Sequence, residues 1–210
     1  MKEVKTISKR EASSREYIDK LLEQNSKLNI IRVDLAYKKP YSNDIGFMDA
    51  SKDIEKMLNN MRGKPSIWRD KVGYIIKKEF TPDKGMHMHT IFIFNGQKVK
   101  SDVYKAEQIG MYWNNEITKG KGTYHNCNRN EYEESGIGIL NYKDIDKRKI
   151  LDEKVIAYLC KDEQNISDID GVKGVAGKGI AGLRALKRNK SFIRGSIPRF
   201  KAVKAGRPRE

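Results

Sequence analysis

The chain has 210 residues, of which 38% are apolar and 34% are charged, and its formal net charge is +15. This length suits one domain with a tail, and the excess of Lys and Arg favours a polyanionic partner such as nucleic acid. No apolar run approaches the roughly 20 residues of a membrane span, the N-terminus lacks the apolar segment of a signal peptide, and Cys127 and Cys160 are too few for a disulfide scaffold. We therefore expect a cytoplasmic protein that has no membrane partner.

Hydrophobic periodicity predicts helices and strands that alternate along the chain. The first predicted helix is capped by Ser13 or Ser14 and runs to about residue 24, and further helices are predicted at residues 49–62, 101–118 and 149–162. The predicted strands cover residues 28–37, 72–80, 86–94 and 138–142. The turn at residues 81–85 joins the second and third strands as a hairpin, and the polar residues 123–134 are predicted to be an insertion. This order indicates an α+β fold in which helices pack against an antiparallel sheet of the ferredoxin-like or RNA-recognition-motif-like kind.

The composition divides the chain into three segments. Residues 1–27 are an N-terminal helical segment, residues 28–170 form the main domain, and residues 171–210 form a basic arm. The arm holds 12 Lys or Arg and one acidic residue, so it carries +11, and it has seven of the 17 glycines. We expect it to be partly ordered and to bind nucleic acid through phosphate contacts, with a solubilising terminus as the alternative. The predicted contacts in the arm are Arg184, Lys187, Arg188, Arg194 and Arg199.

The pattern His87-Met88-His89 lies in the second strand of the predicted hairpin. Side chains alternate along a strand, so both imidazoles point to one face. A turn centred on Asp83 pairs Glu79 with His87 and Lys77 with His89, which brings a carboxylate to the histidine face. Two imidazoles and a carboxylate suit a divalent ion such as Mg²⁺ or Mn²⁺, and zinc would also bind. The alternative is a chance pair of histidines with no metal.

A tyrosine on the last predicted helix is the candidate nucleophile. Tyr158 and Lys161 stand three residues apart and share a helix face, which Lys154 extends by one turn. Ammonium groups would stabilise a phenolate, and a phenolate can attack a phosphodiester that a metal polarises. The alternative is a packing residue, because the tyrosine also lies beside the apolar stripe of that helix.

These motifs resemble those of the HUH endonucleases, which carry a His-hydrophobe-His strand and include rolling-circle replication initiators. The closest resemblance is to the inovirus replication-protein-like family of phages and prophages, the YagK/YfjJ type. It rests on Ile31-Arg32-Val33-Asp34-Leu35, on the segment from Glu79 through the two histidines to Asn95, and on Tyr158-Leu159-Cys160-Lys161. These blocks lie within residues 28–164. The resemblance implies an HUH endonuclease fold.

The resemblance also implies a role for individual residues. Glu79, His87 and His89 correspond to the metal ligands, and Tyr158 corresponds to the nucleophile that forms a 5′-phosphotyrosine. Lys161 would help to position metal or phosphate. A further residue, Asp34, would be either an additional ligand or an acid that supports the ligands. In the main domain, we assign DNA contacts to Arg32, Lys77 and Lys154.

The implied activity is metal-dependent nicking and joining of single-stranded DNA, which starts rolling-circle replication of a phage, prophage or plasmid in a bacterial host. The DNA partner would be a single strand or an origin hairpin. The sequence has no Gly-Lys-Ser nucleotide-binding loop, so the helicase, like the polymerase, would be a separate host protein. Two alternatives are a protein that binds nucleic acid with the same sheet and arm without cutting it, and an HUH-type transposase.

Overall fold

The computed structural model describes residues 7–161 and 190–197. Its helices are α1 (Lys9–Gln24), α2 (Phe47–Asn59), α3 (Pro65–Trp68), α4 (Asp102–Tyr112), α5 (Ile145–Ile150) and α6 (Ala157–Cys160). Its strands are β1 (Lys27–Tyr37), β2 (Lys71–Thr81), β3 (Gly85–Asn95), β4 (Gly122–Asn126), β5 (Gly138–Asn141) and β6 (Phe192–Arg194). A π-helical turn, Trp113–Ile117, extends α4, and a second, Leu151–Ile156, joins α5 to α6. We call residues 145–160 the C-terminal helix.

The six strands form one sheet in which every pairing is antiparallel. The strand order is β4-β1-β3-β2-β6, and β5 pairs with β1 beside β4. Strands β4, β1, β3 and β2, with α2 after β1 and α4 after β3, have the connections of a β-α-β-β-α-β ferredoxin-like unit. The predicted α+β class with an antiparallel sheet is therefore confirmed.

Helices cover both faces of the sheet. The face that carries α2 and α4 buries Val33, Leu35, Phe92 and Phe94 among Ile54, Met57, Ile109 and Trp113. The opposite face, which we call the site face, carries α1 and the C-terminal helix, and it buries Ile30, Ile75, Ile91 and Ile93 among Tyr17, Leu21, Leu151 and Leu159. Burial on both sides explains the unbroken apolar run at residues 91–94. Both cysteines are buried and free.

The site face is apolar along most of its length and becomes polar towards the turn between β2 and β3. Because side chains on one face recur every second residue, Ile30 is followed on β1 by Arg32 and Asp34, and Ile75 is followed on β2 by Lys77 and Glu79. The fold thereby collects the polar residues of three neighbouring strands at one end of this face.

Three local predictions differ from the structure. The first helix begins at Lys9, because the hydroxyl of Ser8, and not of Ser13 or Ser14, accepts a hydrogen bond from the backbone of Glu11. The last helix begins at residue 145 with Asp144 as its cap. The predicted insertion at residues 123–134 is wrong at its start, because residues 122–126 form edge strand β4 against β1.

The packing of β4 explains why its sequence did not indicate a strand. Thr123 and His125 are exposed and Tyr124 is half-buried, so polar residues are tolerated in the middle of the strand. Tyr124 lies so close to Gly110 of α4 that a Cβ atom on the glycine would be 2.1 Å from the tyrosine ring. A long-range contact, and not local alternation, therefore holds this edge strand.

The terminal segments contribute to the sheet and its core. Tyr17, Ile18 and Leu21 of α1, within the predicted segment 1–27, are fully buried on the site face. Strand β6, within the predicted arm, pairs with β2 at Ile75, Ile76 and Lys77. Four of the predicted arm contacts lie outside the described residues: Arg184, Lys187, Arg188 and Arg199. Within residues 7–161 and 190–197, no helix is both long and apolar enough to cross a membrane.

Docking of β6 predicts a difference between two isoleucines of the same segment. Ile193 is partly buried against the face that carries α2 and α4, whereas Ile197 is 39% exposed. Ile193→Ala should lower the free energy of unfolding by about 1–2 kcal/mol, below the cost of truncating a fully buried isoleucine. Ile197→Ala is the matched control and should change it little. Equal, negligible effects in chemical denaturation would show that β6 does not dock.

Candidate metal centre beside Tyr158

The hairpin of β2 and β3 has the predicted register. Glu79 is paired with His87, and Lys77 is paired with His89. Gly85 closes the turn with a positive φ of 69°, and a Cβ atom there would lie 2.8 Å from the carbonyl oxygen of Ser42. The turn therefore requires glycine both for its backbone conformation and for its close packing against the 3₁₀ turn that contains Ser42.

Glu79, His87 and His89 form a compact cluster whose potential ligand atoms all lie within 4.8 Å of one another. Oε2 of Glu79 is 3.6 Å from Nε2 of His87 and 3.2 Å from Nε2 of His89. The side chains are 18%, 10% and 10% exposed, respectively, so the cluster is sheltered but reachable. Two imidazole nitrogens and one carboxylate that converge in this way fit a divalent metal ion and leave positions open for further ligands.

The second ring nitrogen of each histidine is held by another group. Nδ1 of His87 lies 3.0 Å from the carbonyl oxygen of Gly85, and Nδ1 of His89 lies 2.9 Å from Oδ1 of Asp34. These contacts fix the ring orientations with both Nε2 atoms directed at Glu79, as in histidines that bind metal through Nε2. The structure thus places Asp34 behind His89 and outside the ligand cluster, which favours a supporting role over that of a fourth ligand.

The charges of the cluster are strongly coupled. The side chains of His87 and His89, aided by Lys77, hold the pKa of the Glu79 carboxyl far below its usual range. Burial raises the pKa of Asp34, but His89 and Arg32 lower it more, so that it lies below its ordinary value. Burial alone would lower the pKa of His89, yet Asp34 and Glu79 raise it to about 9. A metal ion must therefore displace a proton from His89 at neutral pH.

Lys77 connects the cluster to the C-terminal helix. Its ammonium group pairs with the carboxylate of Glu79 and donates a hydrogen bond of 2.6 Å to the carbonyl oxygen of Lys161. The residue is only 8% exposed. Lys77, which the sequence predicts as a DNA contact, lies inside the site in the structure. There it connects a potential metal ligand to the end of the helix that carries Tyr158.

Tyr158 lies at the edge of the cluster. Its ring centre is 5.5 Å from that of His89, and the guanidinium carbon of Arg32 is 5.2 Å from the centre of the tyrosine ring. Tyr158 is 41% exposed, whereas the next residue, Leu159, is fully buried. The helix therefore uses Leu159 for packing and presents Tyr158 beside the histidines, which favours the functional interpretation of this tyrosine over a packing role.

The other predicted cations occupy different positions. Lys154 pairs with Glu134, and the π-helical turn that contains Lys154 alters its angular relation to Tyr158. Lys161 ends the helix in an extended conformation, and its side chain is exposed. Arg194 donates to the carbonyl oxygen of Ser13 and lies over the ring of Tyr17, so it helps to attach β6 to α1.

The position of Arg32 over the ring of Tyr158 does not follow from the sequence pattern. Strand alternation gave a partial signal, because Arg32 and Asp34 share a face. The contact with the tyrosine depends on how the C-terminal helix crosses that face, and residue spacing does not contain this information.

The model of the YagK/YfjJ C-terminal domain family matches residues 2–168. The chain belongs to this family. The matched region contains the Glu79, His87 and His89 cluster together with Tyr158, whereas β6 lies beyond it. No functionally curated protein and no solved structure matches the chain significantly.

The ligand assignment in this YagK/YfjJ domain is testable with its three histidines. His87→Ala or His89→Ala should lower Mn²⁺ affinity on the order of 100-fold, because each removes one of few protein ligands. His125, which is exposed on β4 opposite Asp34 and outside the ligand cluster, provides the comparison, and His125→Ala should change the affinity far less. Calorimetric titration measures all three. Unchanged affinity in a His87 and His89 double variant would mean that the paired rings are structural.

The raised pKa of His89 predicts how metal affinity depends on pH. Protons compete with the metal below about pH 9, so the affinity should rise with pH between 6 and 8, by up to about tenfold per unit. Asp34→Asn removes a charge that raises this pKa, so the rise should level off at a lower pH. Mn²⁺ titrations across this range provide the measurement. Superimposable profiles for the two proteins would contradict the coupling of Asp34 to His89.

Proposed function

We propose that this YagK/YfjJ domain is a metal-dependent DNA endonuclease and ligase of the HUH type, which cuts a single strand by transesterification at Tyr158. The observation that carries the proposal is the position of an exposed tyrosine beside a sheltered Glu-His-His cluster, with 5.5 Å between the rings of Tyr158 and His89. A set of metal-ligand side chains alone fits many activities. A tyrosine beside it points to nucleophilic attack on a phosphodiester.

The residues of the site would divide the reaction between them. Glu79, His87 and His89 would hold Mg²⁺ or Mn²⁺, and the bound ion supplies positive charge to a non-bridging oxygen of the scissile phosphate. The oxygen of Tyr158 bonds to phosphorus, the bond from phosphorus to the 3′-oxygen breaks, and the 5′-phosphate remains on the tyrosine. The phenolic proton passes to solvent, and the leaving 3′-oxygen takes up a proton from solvent. Attack by a 3′-hydroxyl on the phosphotyrosine reverses these steps and joins the strand.

Two lysines would support this reaction in different ways. Lys77 holds the carboxylate of Glu79 and the backbone of Lys161 together, so it would keep the tyrosine at a fixed distance from the ligands. Lys161, one turn after Tyr158 and exposed, would assist in placing the phosphate. Such fixed geometry matters because small displacements of the reacting atoms slow a transfer reaction strongly.

The charge of the chain supports DNA as the substrate. Residues 171–210 carry +11 of the net +15, and an excess of this size attracts a polyanion. We infer that single-stranded DNA or an origin hairpin is cut to start rolling-circle replication of a phage, prophage or plasmid in the cytoplasm of a bacterial host. A separate helicase and polymerase would then extend the nicked strand.

The nucleophile assignment predicts the loss of a covalent product. Tyr158→Phe removes only the phenolic oxygen, so it should abolish the covalent protein–DNA adduct formed with single-stranded DNA and Mn²⁺, while metal and DNA binding remain nearly intact. Denaturing gel electrophoresis with labelled DNA detects the adduct.

Tyr142 provides the matched control for this experiment. It is 56% exposed and follows β5, which pairs with residues 27–30 of β1 and not with the part of β1 that carries Asp34. Tyr142→Phe should form the adduct at the wild-type rate. An adduct that persists in Tyr158→Phe would refute the assignment, and Tyr142 and Tyr124 would become the next candidates. A wild-type protein that binds Mn²⁺ and single-stranded DNA but forms no adduct would refute the proposed activity.

A further inference from the structure

Arg32 stands between the two halves of the site. Its guanidinium carbon lies 5.2 Å from the ring centre of Tyr158, and its Nε atom lies 3.7 Å from Oδ1 of Asp34, the carboxylate that orients His89. The backbone of Arg32 is fixed as well, because its N–H donates to Oδ1 of Asn128. The arginine is thus positioned by the strand, by a carboxylate and by the tyrosine ring.

The guanidinium group has unused hydrogen-bond donors. Nε of Arg32 is buried without a hydrogen-bond partner, and none of the described residues accepts a hydrogen bond from the rest of the group. Leaving the buried Nε–H without an acceptor is costly, and the other N–H groups of the guanidinium remain available to a ligand. By contrast, the ammonium of Lys77 already donates to a backbone carbonyl and pairs with Glu79. The unmet donors of Arg32 indicate an acceptor that arrives with the substrate.

We propose that Arg32 binds the non-bridging oxygens of the scissile phosphodiester and so seats the phosphorus next to the oxygen of Tyr158. This inference rests on the proposed function and adds a catalytic residue to it. A planar guanidinium presents two parallel N–H groups that match two phosphate oxygens, which an ammonium cannot do. The guanidinium of Arg32 lies over the ring of Tyr158 and beside Asp34, which contacts His89. It can therefore align the phosphate with both the nucleophile and the metal ligands.

Rates of adduct formation at saturating DNA and Mn²⁺ provide the first test. Arg32→Gln should slow the single-turnover reaction about 100-fold, as for other groups that stabilise a transition-state charge. Arg32→Lys should be intermediate, because it keeps the charge and loses the two-point contact. Both variants should bind Mn²⁺ like the wild type, which a collapse of the site would not allow.

Arg129 provides the matched control for charge. It is an arginine whose side chain is 62% exposed and paired with Glu107, so Arg129→Gln removes the same group from the surface. This variant should form the adduct at the wild-type rate. If Arg32→Gln also reacts at the wild-type rate, or loses no more activity than Arg129→Gln, the proposal is wrong.

A second measurement does not depend on cleavage. The Nε–Hε signal of Arg32 in a nitrogen-15 NMR spectrum can be assigned by its absence from Arg32→Lys. In the wild-type protein with Mg²⁺, the signal should shift when the dinucleotide TpT, which has one phosphodiester, is added, and not with the neutral methylphosphonate analogue. A signal that does not shift when TpT is added overturns the assignment of Arg32 as a phosphate-binding residue. Wild-type protein that forms no adduct overturns the proposed activity alone, and this titration still decides the role of Arg32.

Discussion

The register of the β2–β3 hairpin is the constraint on which the rest of the site depends. Glu79 meets His87 and His89 only because Gly85 closes the turn at one position, against Ser42. A slip of β3 by one residue against β2 would turn both histidines to the opposite face of the sheet, away from Glu79. Such a slip is opposed by the core, because the apolar residues of β3 are buried on both faces and would exchange their environments.

A row of alternating charges continues from this hairpin across the site face. Three neighbouring strands place their residues side by side here: Asp34 on β1, His89 on β3 and Lys77 on β2. Glu79, two residues after Lys77 on β2, contacts both His89 and Lys77. Buried charges are costly unless each has a partner, and here each has an oppositely charged neighbour. The contact of Lys77 with the backbone of Lys161 extends the row to the C-terminal helix. The potential metal ligands and the helix that carries the tyrosine are therefore parts of one network.

The prediction of the fold succeeded where local patterns carry the information. Helices and strands with strong apolar periodicity were found, and their order indicated the antiparallel α+β class. The errors are at elements that depend on distant contacts. Strand β4 is polar and is held by β1 and by the packing of Tyr124 against Gly110. The start of α1 is misplaced because Ser8, Ser13 and Ser14 are all suitable caps by residue type, and only the folded chain shows that Ser8 caps the helix while the other two lie inside it.

The sequence by itself determined the set of potential metal ligands and the face that they share, because Glu79, His87 and His89 lie on one hairpin, where side-chain alternation and turn length decide which residues share a face. Tyr158 was identifiable from its residue type and its motif, yet its distance from the histidines was not. Only the tertiary structure decided that Lys77 lies inside the site, that Lys154 pairs with Glu134 away from it, and that Arg32 lies over the tyrosine ring. These contacts arise where the C-terminal helix crosses the sheet. The position of the helix is set by the packing of apolar side chains from distant parts of the chain, and residue spacing within a motif does not specify that packing.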